Sequence, residues 1–301
     1  MKKSDGSGIR QGFGMTRFFY YLCLLCFWIP CCPAEPPQRV VSQVPGITEI
    51  LFSLGQGNKI VGVSTYCRFP PEALQKPKVG GLHDSDLEKM LVLRPDWIAL
   101  FAGQDKIGDV LERNGCRVFY SSGETISDLL KTIRELGRIF EVPAVADNLV
   151  SSISRELQEV REQCAQLPRK RVLYAVGREP GSLKQLYGVG HGSFLEELMN
   201  LVGGENCLSP SLGRYPVLSR EALILANPEV ILDAGASPGE ISAKVMPPEW
   251  GSLASVQAVR EKNVIPFEDP HISIPGPSIA ESAKKLALLI HGESIRSRLG
   301  M

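Results

Sequence analysis

Four aromatic side chains lie in loops that follow predicted strands or precede a predicted helix, in the zone where α/β proteins bind their ligands. They are Tyr66, Phe101, Tyr187 and Tyr215, and Arg214 precedes the last of them. Ligands of α/β sheets sit beyond the carboxyl ends of the strands. A cleft lined by aromatic rings suits a large, flat, partly apolar ligand rather than a bare ion. The alternative is that each ring packs only against its own loop.

Three histidines fall in the same loops, and imidazole is a common metal ligand. They are His83, His191 and His271. Each is a candidate contact to the ligand, and each could bind a metal carried by that ligand as an axial group. None has a second histidine at metal-ligand spacing, so a metal site made by the protein alone is not predicted. The alternative is a hydrogen-bonded or solvated loop histidine.

Two carboxylates, Glu88 and Glu221, occupy equivalent places near the starts of two predicted helices. One explanation is local: Ser85 with Glu88 forms a capping box, and Ser219 can cap the second helix. The other is that two matched carboxylates grip basic residues of a two-fold symmetric partner. The residues alone leave both explanations open.

Catalytic signatures are missing from the chain. It contains no phosphate-binding G-x-x-x-x-G-K-[ST] loop, no G-x-S-x-G nucleophile elbow and no H-E-x-x-H zinc motif. The Gly-rich stretch 188–193 precedes a predicted helix but fails the G-x-G-x-x-G spacing. It is either an anion site at a helix start or a flexible turn. We therefore expect a binding protein, with a cleft enzyme as the remote alternative.

The elements that must position these residues repeat within the chain. The pattern of 88–100 recurs at 221–232 with a constant offset of 133, and Arg39 and Arg171 each begin an apolar run. Predicted strands lie at 40–42, 60–63, 97–101, 118–120, 172–176, 230–232 and 264–267. Predicted helices lie at 47–54, 86–93, 107–114, 126–140, 193–202, 219–226 and 279–291. Alternating strands and helices predict an α/β fold of two Rossmann-like lobes, each with a mainly parallel sheet.

A long helix is predicted between the lobes, from Pro143 to about residue 166. Its apolar residues recur at helical spacing, and Pro143 suits a first helical turn. Such a helix is about 36 Å long, the span of a domain. We therefore predict an N-terminal lobe at 39–142, a rigid backbone helix at 143–167, a C-terminal lobe at 168–292 and a ligand cleft between the lobes.

The first 34 residues have the composition of an export signal. Four basic residues accompany an uninterrupted apolar run at 18–29, which is too short for a membrane span of roughly 20 residues. The alternatives are a lipoprotein signal, with Cys32 or Cys31 acylated, and a buried apolar helix. The expected location is the periplasm or the outer surface of the inner membrane.

Charge and cysteine content narrow the classes further. The chain of 301 residues has 33 basic and 33 acidic side chains. Residues 1–34 hold four of the basic and one of the acidic side chains. The rest of the chain therefore has 29 basic and 32 acidic side chains, a formal charge of −3. A nucleic-acid binder would carry a basic excess, so this class is excluded. Beyond the leader lie Cys67, Cys116, Cys164 and Cys207, whose disulfide state is left open.

The chain resembles the cobalamin and iron-siderophore periplasmic binding proteins. The resemblance rests on R-V-V-S-x-x-P-x-x-T-E-I-L-F-x-L-G at 39–55, V-G-V-S-x-Y-C-x-F-P-P-E-A at 61–73, K-V-G-G at 78–81 and D-L-E-K-M-L-x-L-R-P-D at 86–96. In the second lobe it rests on G-S-F-L-E-E-L-x-N-L-V-G-G-E-N at 192–206, L-S-R-E-A-L at 218–223 and P-G-P-S-I at 275–279. It extends from 39 to about 291.

What this resemblance implies is a monomeric receptor of an ABC importer, with two lobes on a helical backbone and no cofactor of its own. Its partners would be a permease dimer with ATPase subunits, and Glu88 and Glu221 would dock onto permease arginines. It would contact the membrane only through the permease or a lipid anchor. The loop 66–71 looks most like that of the cobalamin binders, so the expected ligand is cobalamin or a related cobalt corrinoid. Haem and ferric siderophores are the alternatives, because Leu82-His83 and Ser278 depart from the family pattern.

Overall fold

The computed structural model of the chain describes residues 35–121, 123–236, 245–269 and 271–300. The predicted leader 1–34, with Cys31 and Cys32 as its lipidation candidates, lies outside the described residues. The two lobes belong to one compact unit, Pro37–Met301. Within the described ranges, no helix has both the length and the hydropathy needed to cross a bilayer.

The N-terminal lobe is built on a four-stranded parallel sheet. Its strands are β1 (Val40–Ser42), β2 (Ile60–Val63), β3 (Trp97–Phe101) and β4 (Arg117–Ser121), in the order β2-β1-β3-β4. Its helices are α1 (Pro45–Ser53), α2 (Leu87–Val92), α3 (Asp105–Arg113) and α4 (Ile126–Ile139). The central strands β1 and β3 are almost wholly buried, as the interior of a parallel sheet covered by helices requires.

One long helix, α5 (Pro143–Cys164), connects the lobes. Its 22 residues span about 33 Å, and it ends two residues before the predicted limit of 166. Val150, Ile153, Leu157 and Val160 form its buried face. The main hydrophobic core runs through this helix without interruption and includes Val40 of the first lobe and Val172 of the second. The two sheets therefore share one core.

The C-terminal lobe carries a mixed six-stranded sheet. Its strands are β5 (Lys170–Gly177), β6 (Leu186–Gly188), β7 (Gly204–Asn206), β8 (Val217–Leu218), β9 (Val230–Asp233) and β10 (Val264–Pro266). The order is β10-β9-β5-β6-β8, with β7 also paired to β5; β6 is antiparallel to both its neighbours. The helices are α6 (Phe194–Leu201), α7 (Arg220–Ala226), α8 (Gln257–Arg260) and α9 (Ile279–His291). Short 3₁₀ helices lie at Gly57–Lys59, Pro71–Gln75, Pro210–Leu212, Pro248–Leu253 and Gly292–Ile295.

The two-lobed α/β fold is as predicted, and the seven strands and seven helices read from the lobes are present with ends shifted by at most two residues. The prediction missed β6, β7, β8 and α8. These elements have two to four residues each, and runs of that length carry no readable periodicity.

The internal repeat extends to individual hydrogen bonds. Arg39 N–H donates to Asp96 Oδ1 (3.1 Å), and Asp96 N–H donates back to the Arg39 carbonyl (2.9 Å). In the second lobe Arg171 N–H donates to Glu229 Oε2 (2.7 Å), and Glu229 N–H donates to the Arg171 carbonyl (2.8 Å). Both guanidinium groups also donate to a carbonyl at the C-terminal end of α2 or α7, at 2.6 and 2.5 Å. Each lobe thus fixes its helix to the start of its first strand in the same way.

The four cysteines of the described part are free thiols, so no disulfide joins them. Burial raises the pKa of Cys116 and Cys207 to about 12 and that of Cys164 to about 11. These thiols are therefore protonated at neutral pH and serve as small apolar side chains.

Candidate ligand cleft

A cavity of about 570 Å³ lies between the lobes. The N-terminal lobe contributes the start of α1, the ends of β3 and β4 and the start of α4. The C-terminal lobe contributes Phe194, Tyr215 and the loop 273–275. The N-terminal side of the cavity is therefore the carboxyl end of a parallel sheet, where ligands of α/β folds bind. The volume falls within the usual range of ligand pockets.

The lining is mainly apolar. Its apolar members are Val44, Pro45, Ile47, Ile50, Leu82, Phe101, Ala102, Leu129, Phe194, Tyr215, Ile274 and Pro275. Glu124 is the single charged residue among the described residues that line it. A Cβ at Gly46 would lie 2.2 Å from the Pro275 carbonyl oxygen, so the glycine permits the lobes to meet closely at this cavity.

Phe101 and Tyr215 line this cavity from opposite lobes, and their contact with a ligand stays a prediction. Gln104 fixes the backbone of Phe101 by accepting its N–H at 2.9 Å. Partial burial raises the pKa of Tyr215, so its hydroxyl is neutral at pH 7. Its loop is held by Gly190, whose N–H donates to the Arg214 carbonyl at 2.6 Å.

The Gly-rich stretch 188–193 therefore has a structural use that the sequence did not indicate. A Cβ at Gly190 would lie 1.8 Å from the Gly213 carbonyl oxygen, so only glycine lets the two loops approach this closely. Because Tyr215 follows directly, this contact positions an aromatic ring of the cleft.

The other two aromatic candidates do not line the cavity. Tyr66 is 60% exposed, and its ring packs over Gly81. Tyr187 is exposed on β6, where it pairs with Val217 of β8. Neither ring is among the residues that line the cavity, and their contact with a ligand stays a prediction.

The three candidate histidines are dispersed. His83 is exposed beside Leu82, which lines the cavity. His191 uses both ring nitrogens, Nδ1 with Glu196 (2.5 Å) and Nε2 with the Leu208 carbonyl (2.9 Å), which leaves neither for a metal. The described residues contain no group of three His, Cys, Asp or Glu side chains arranged to hold a metal ion.

His271 and Arg214 instead join the lobes. The His271 ring lies against Phe69 of the N-terminal lobe, with centroids 3.4 Å apart. Arg214 forms an ion pair with Glu124, which lines the cavity. Sequence reasoning missed Glu124, because an isolated acid in a loop carries no motif.

Two further bonds cross between the lobes. Glu197 Oε2 accepts the Ile126 N–H (2.8 Å), and Glu49 Oε1 accepts the Ser278 N–H (2.8 Å). In this structure the lobes are therefore in direct polar contact around the cavity.

Glu88 and Glu221 lie in the first turns of α2 and α7, and both are exposed. The predicted capping box is wrong: Asp86, not Ser85, accepts the Lys89 N–H (3.0 Å). The Ser85 hydroxyl instead donates a hydrogen bond to the Gly81 carbonyl. Ser219 caps α7 as predicted. The pKa of Glu221 is lowered by hydrogen bonds to its carboxylate from the backbone N–H of Glu221 itself and from the Ser219 hydroxyl.

Comparison with known proteins adds the family. The model of the periplasmic binding protein family matches residues 40–269. The chain belongs to this family. The resemblance read from the sequence is thereby confirmed, and proteins of this family are solute receptors rather than enzymes.

Two relatives cover most of this periplasmic binding protein. It is 25% identical to the ABC transporter substrate-binding lipoprotein YvrC of Bacillus subtilis, over 87% of this chain and 82% of the relative. It is 28% identical to the vitamin B12-binding protein of Salmonella typhimurium, over 88% and 92%.

Two solved structures share the fold. The vitamin B12 binding protein BtuF of Vibrio cholerae superposes with a TM-score of 0.72 at 25% identity, covering 85% of this chain and 97% of that one. A heme binding protein from Pseudomonas aeruginosa gives 0.74 at 24% identity, covering 85% and 94%. Because proteins with different ligands share this fold, the fold by itself does not select the ligand.

Proposed function

We propose that this protein is the substrate-binding subunit of an ABC importer and captures cobalamin or a related corrinoid outside the inner membrane. The observation that carries the proposal is the apolar cavity between the lobes, with Phe101 and Tyr215 on opposite sides. The similarity of the chain to a vitamin B12-binding protein, over 88% of its length, supports the choice of ligand. The corrinoid is the cargo, and the protein needs no cofactor of its own.

Recognition of a flat macrocycle at this site follows from its lining. Burial of the ring faces against apolar and aromatic side chains removes apolar surface from water. The few polar side chains, such as Thr125 and Ser273, orient the polar substituents. Glu124 lines the cavity, and its ion pair with Arg214 is about half exposed to solvent, so Glu124 can exchange this pair for a contact to the ligand.

Delivery requires a permease dimer with its ATPase subunits. Glu88 and Glu221 project from matched helices on the two lobes, so two arginines related by a two-fold axis are fitting partners. The leader 1–34 sends the chain across the inner membrane, either as a periplasmic monomer or as a lipoprotein anchored through Cys32 or Cys31.

Calorimetry of the exported protein with cobalamin, cobinamide, haem and a ferric siderophore tests the ligand. We expect saturable binding of cobalamin or cobinamide at a stoichiometry of one. Binding of haem alone, with a shift of the Soret band, would replace the corrinoid by haem, and binding of the siderophore alone would replace it by that ligand. Turnover of any of these compounds would favour a cleft enzyme instead.

A further inference from the structure

Helices α2 and α7 each expose a large aliphatic side chain to solvent. Val92 is 79% exposed and Leu225 is 87% exposed. They occupy the same place in the internal repeat, because the offset of 133 residues that relates Glu88 to Glu221 also relates Val92 to Leu225. One exposed aliphatic residue on a protein surface is ordinary, but a matched pair on two lobes calls for a common cause.

Each exposed aliphatic residue shares a helix face with a docking carboxylate. Residues four apart on a helix are neighbours, with Cβ atoms about 5–6 Å from each other. The buried residues Met90 and Leu223, also at matched positions, turn this face away from the core. Glu88–Val92 and Glu221–Leu225 are therefore two equivalent pairs of one acid and one aliphatic side chain.

Both helices are held rigidly for presentation of this face. Their first turns are capped by Asp86 and Ser219. Their last turns are bonded by the guanidinium groups of Arg39 and Arg171, at 2.6 and 2.5 Å. Binding of a partner here therefore costs little backbone conformational entropy.

The surroundings of the pairs are free to receive a partner. Within the described part of the chain, neither Glu88 nor Glu221 forms an ion pair. A groove of about 280 Å³ adjoins Glu88 and Val92; its accessible apolar members are Pro77 and Leu93, and its other charged members are Lys78 and the ion pair of Asp86 with Lys89. An incoming surface can therefore meet a carboxylate and an apolar contact at the same place.

We propose that these two acid–aliphatic pairs, and not the carboxylates alone, form the docking surface for the permease dimer. The proposal rests on the docking role given above to Glu88 and Glu221. Each of the two permease subunits would offer a cation beside an apolar patch, because only a two-fold symmetric partner meets the same pair on both lobes. The carboxylates then set the association rate and its salt dependence, whereas Val92 and Leu225 slow dissociation.

The test measures binding of the full exported protein to the permease–ATPase complex of the same host in lipid nanodiscs. The variants are Val92→Ser with Leu225→Ser, and separately E88Q with E221Q. Val145→Ser is the matched control, because Val145 is 44% exposed on α5, away from both pairs. Burial of one aliphatic side chain stabilises by about 1.5 kcal/mol or more, so we expect the first double variant to bind at least about tenfold more weakly.

The loss should appear in the dissociation rate and persist at high salt, whereas the glutamine variants should lose association rate and salt dependence. Wild-type affinity in the Val92/Leu225 variant, with weakened binding in the glutamine variants, would overturn the inference and leave the docking role intact. Wild-type affinity in the glutamine variants would overturn the docking role itself. An equal loss in Val145→Ser would also overturn the inference, since the effect would not depend on the pairs.

Discussion

The internal repeat is kept at the proposed docking face and lost in the cleft. On the proposed docking face the two lobes keep similar residue types in register: Glu88 corresponds to Glu221, and Val92 corresponds to Leu225. In the cleft the repeat is lost, since Phe101 comes from the end of a strand and Tyr215 from a loop. A partner with two-fold symmetry can use two equal surfaces, whereas a ligand without such symmetry needs two different ones.

A buried charge cluster marks the same divergence at the cleft end of the strands. With the offset of 133, Asp233 of β9 occupies the position in the repeat that Leu100 occupies in β3. The Arg178 guanidinium is fully buried and pairs with Asp233 (3.1 Å) and with Glu249 (3.2 Å). Trp250 Nε1 also donates to Asp233 (2.8 Å). The C-terminal lobe thus holds its strand ends by charge, and the N-terminal lobe by apolar packing.

The largest expected effect is on this cluster. Arg178→Met keeps the side-chain volume but leaves Asp233 and Glu249 buried without their cation, which should lower the free energy of unfolding by about 3–5 kcal/mol. Urea denaturation followed by tryptophan fluorescence measures the change. Leu100→Met, at the matched position of the other lobe, is the control and should cost less than about 1.5 kcal/mol. Equal losses in both variants would contradict the contrast between the lobes.

The next prediction compares the hydrogen bonds that join Asp96 to Arg39 at the start of β1 with those that join Glu229 to Arg171 at the start of β5. Asp96→Ala removes one acceptor shared by the backbone N–H groups of Gln38 and Arg39, whereas Glu229→Ala removes an acceptor of the Arg171 N–H alone. We expect a loss of about 2 kcal/mol for the first and about 1 kcal/mol for the second, at about 1 kcal/mol for each hydrogen bond removed from these exposed sites. Thermal unfolding of the two variants side by side measures the order. A larger loss for Glu229→Ala would contradict the expectation that the number of hydrogen bonds sets the cost.

A smaller effect separates the rings that line the cavity from those that do not. Phe101→Ala removes apolar contact with the ligand and should weaken cobalamin binding at least about tenfold. Tyr187→Ala, which changes an exposed ring of β6, should leave affinity within about twofold, as expected of a surface substitution outside the site. Calorimetry decides, and an equal loss at Tyr187 would place that ring in the bound complex.

The smallest effect concerns the ion pair between the lobes. Glu124→Gln should change the free energy of unfolding by less than about 1 kcal/mol, because Arg214 and Glu124 are both about half exposed to solvent. Chemical denaturation at low and high salt measures it. A loss well above that limit would mean that this pair, rather than the shared core, holds the lobes together.

The repeat and the apolar strands could be read from the sequence because both are periodic or regular over many residues. Phe101 could be placed because it ends a strand at the edge where a parallel sheet binds ligands, and Tyr215 because it lies in a loop before a predicted helix of the other lobe. Tyr66 and Tyr187 belong to the same class by sequence, and only the path of their segments distinguishes them. The contact of Glu124 with Arg214 joins residues 90 positions apart, and no local pattern reports such a pairing.

The helix cap shows a second limit. Ser85-Asp86-Leu87-Glu88 offers two candidate caps one residue apart, and both fit the preferences for helix starts. Tertiary contacts decide between them, because Gly81 and Gln43 engage Ser85 and leave Asp86 to cap α2. Sequence reasoning therefore located the helix but not its first residue.

The core that runs through α5 has a consequence for how this protein would melt. Two domains on a flexible tether can unfold one after the other, each with its own midpoint. Here the same packed side chains belong to both sheets and to the helix between them, so loss of either sheet exposes part of the other. Calorimetry should accordingly record a single heat-absorption peak, and a fragment cut within α5 would be left with an open apolar face.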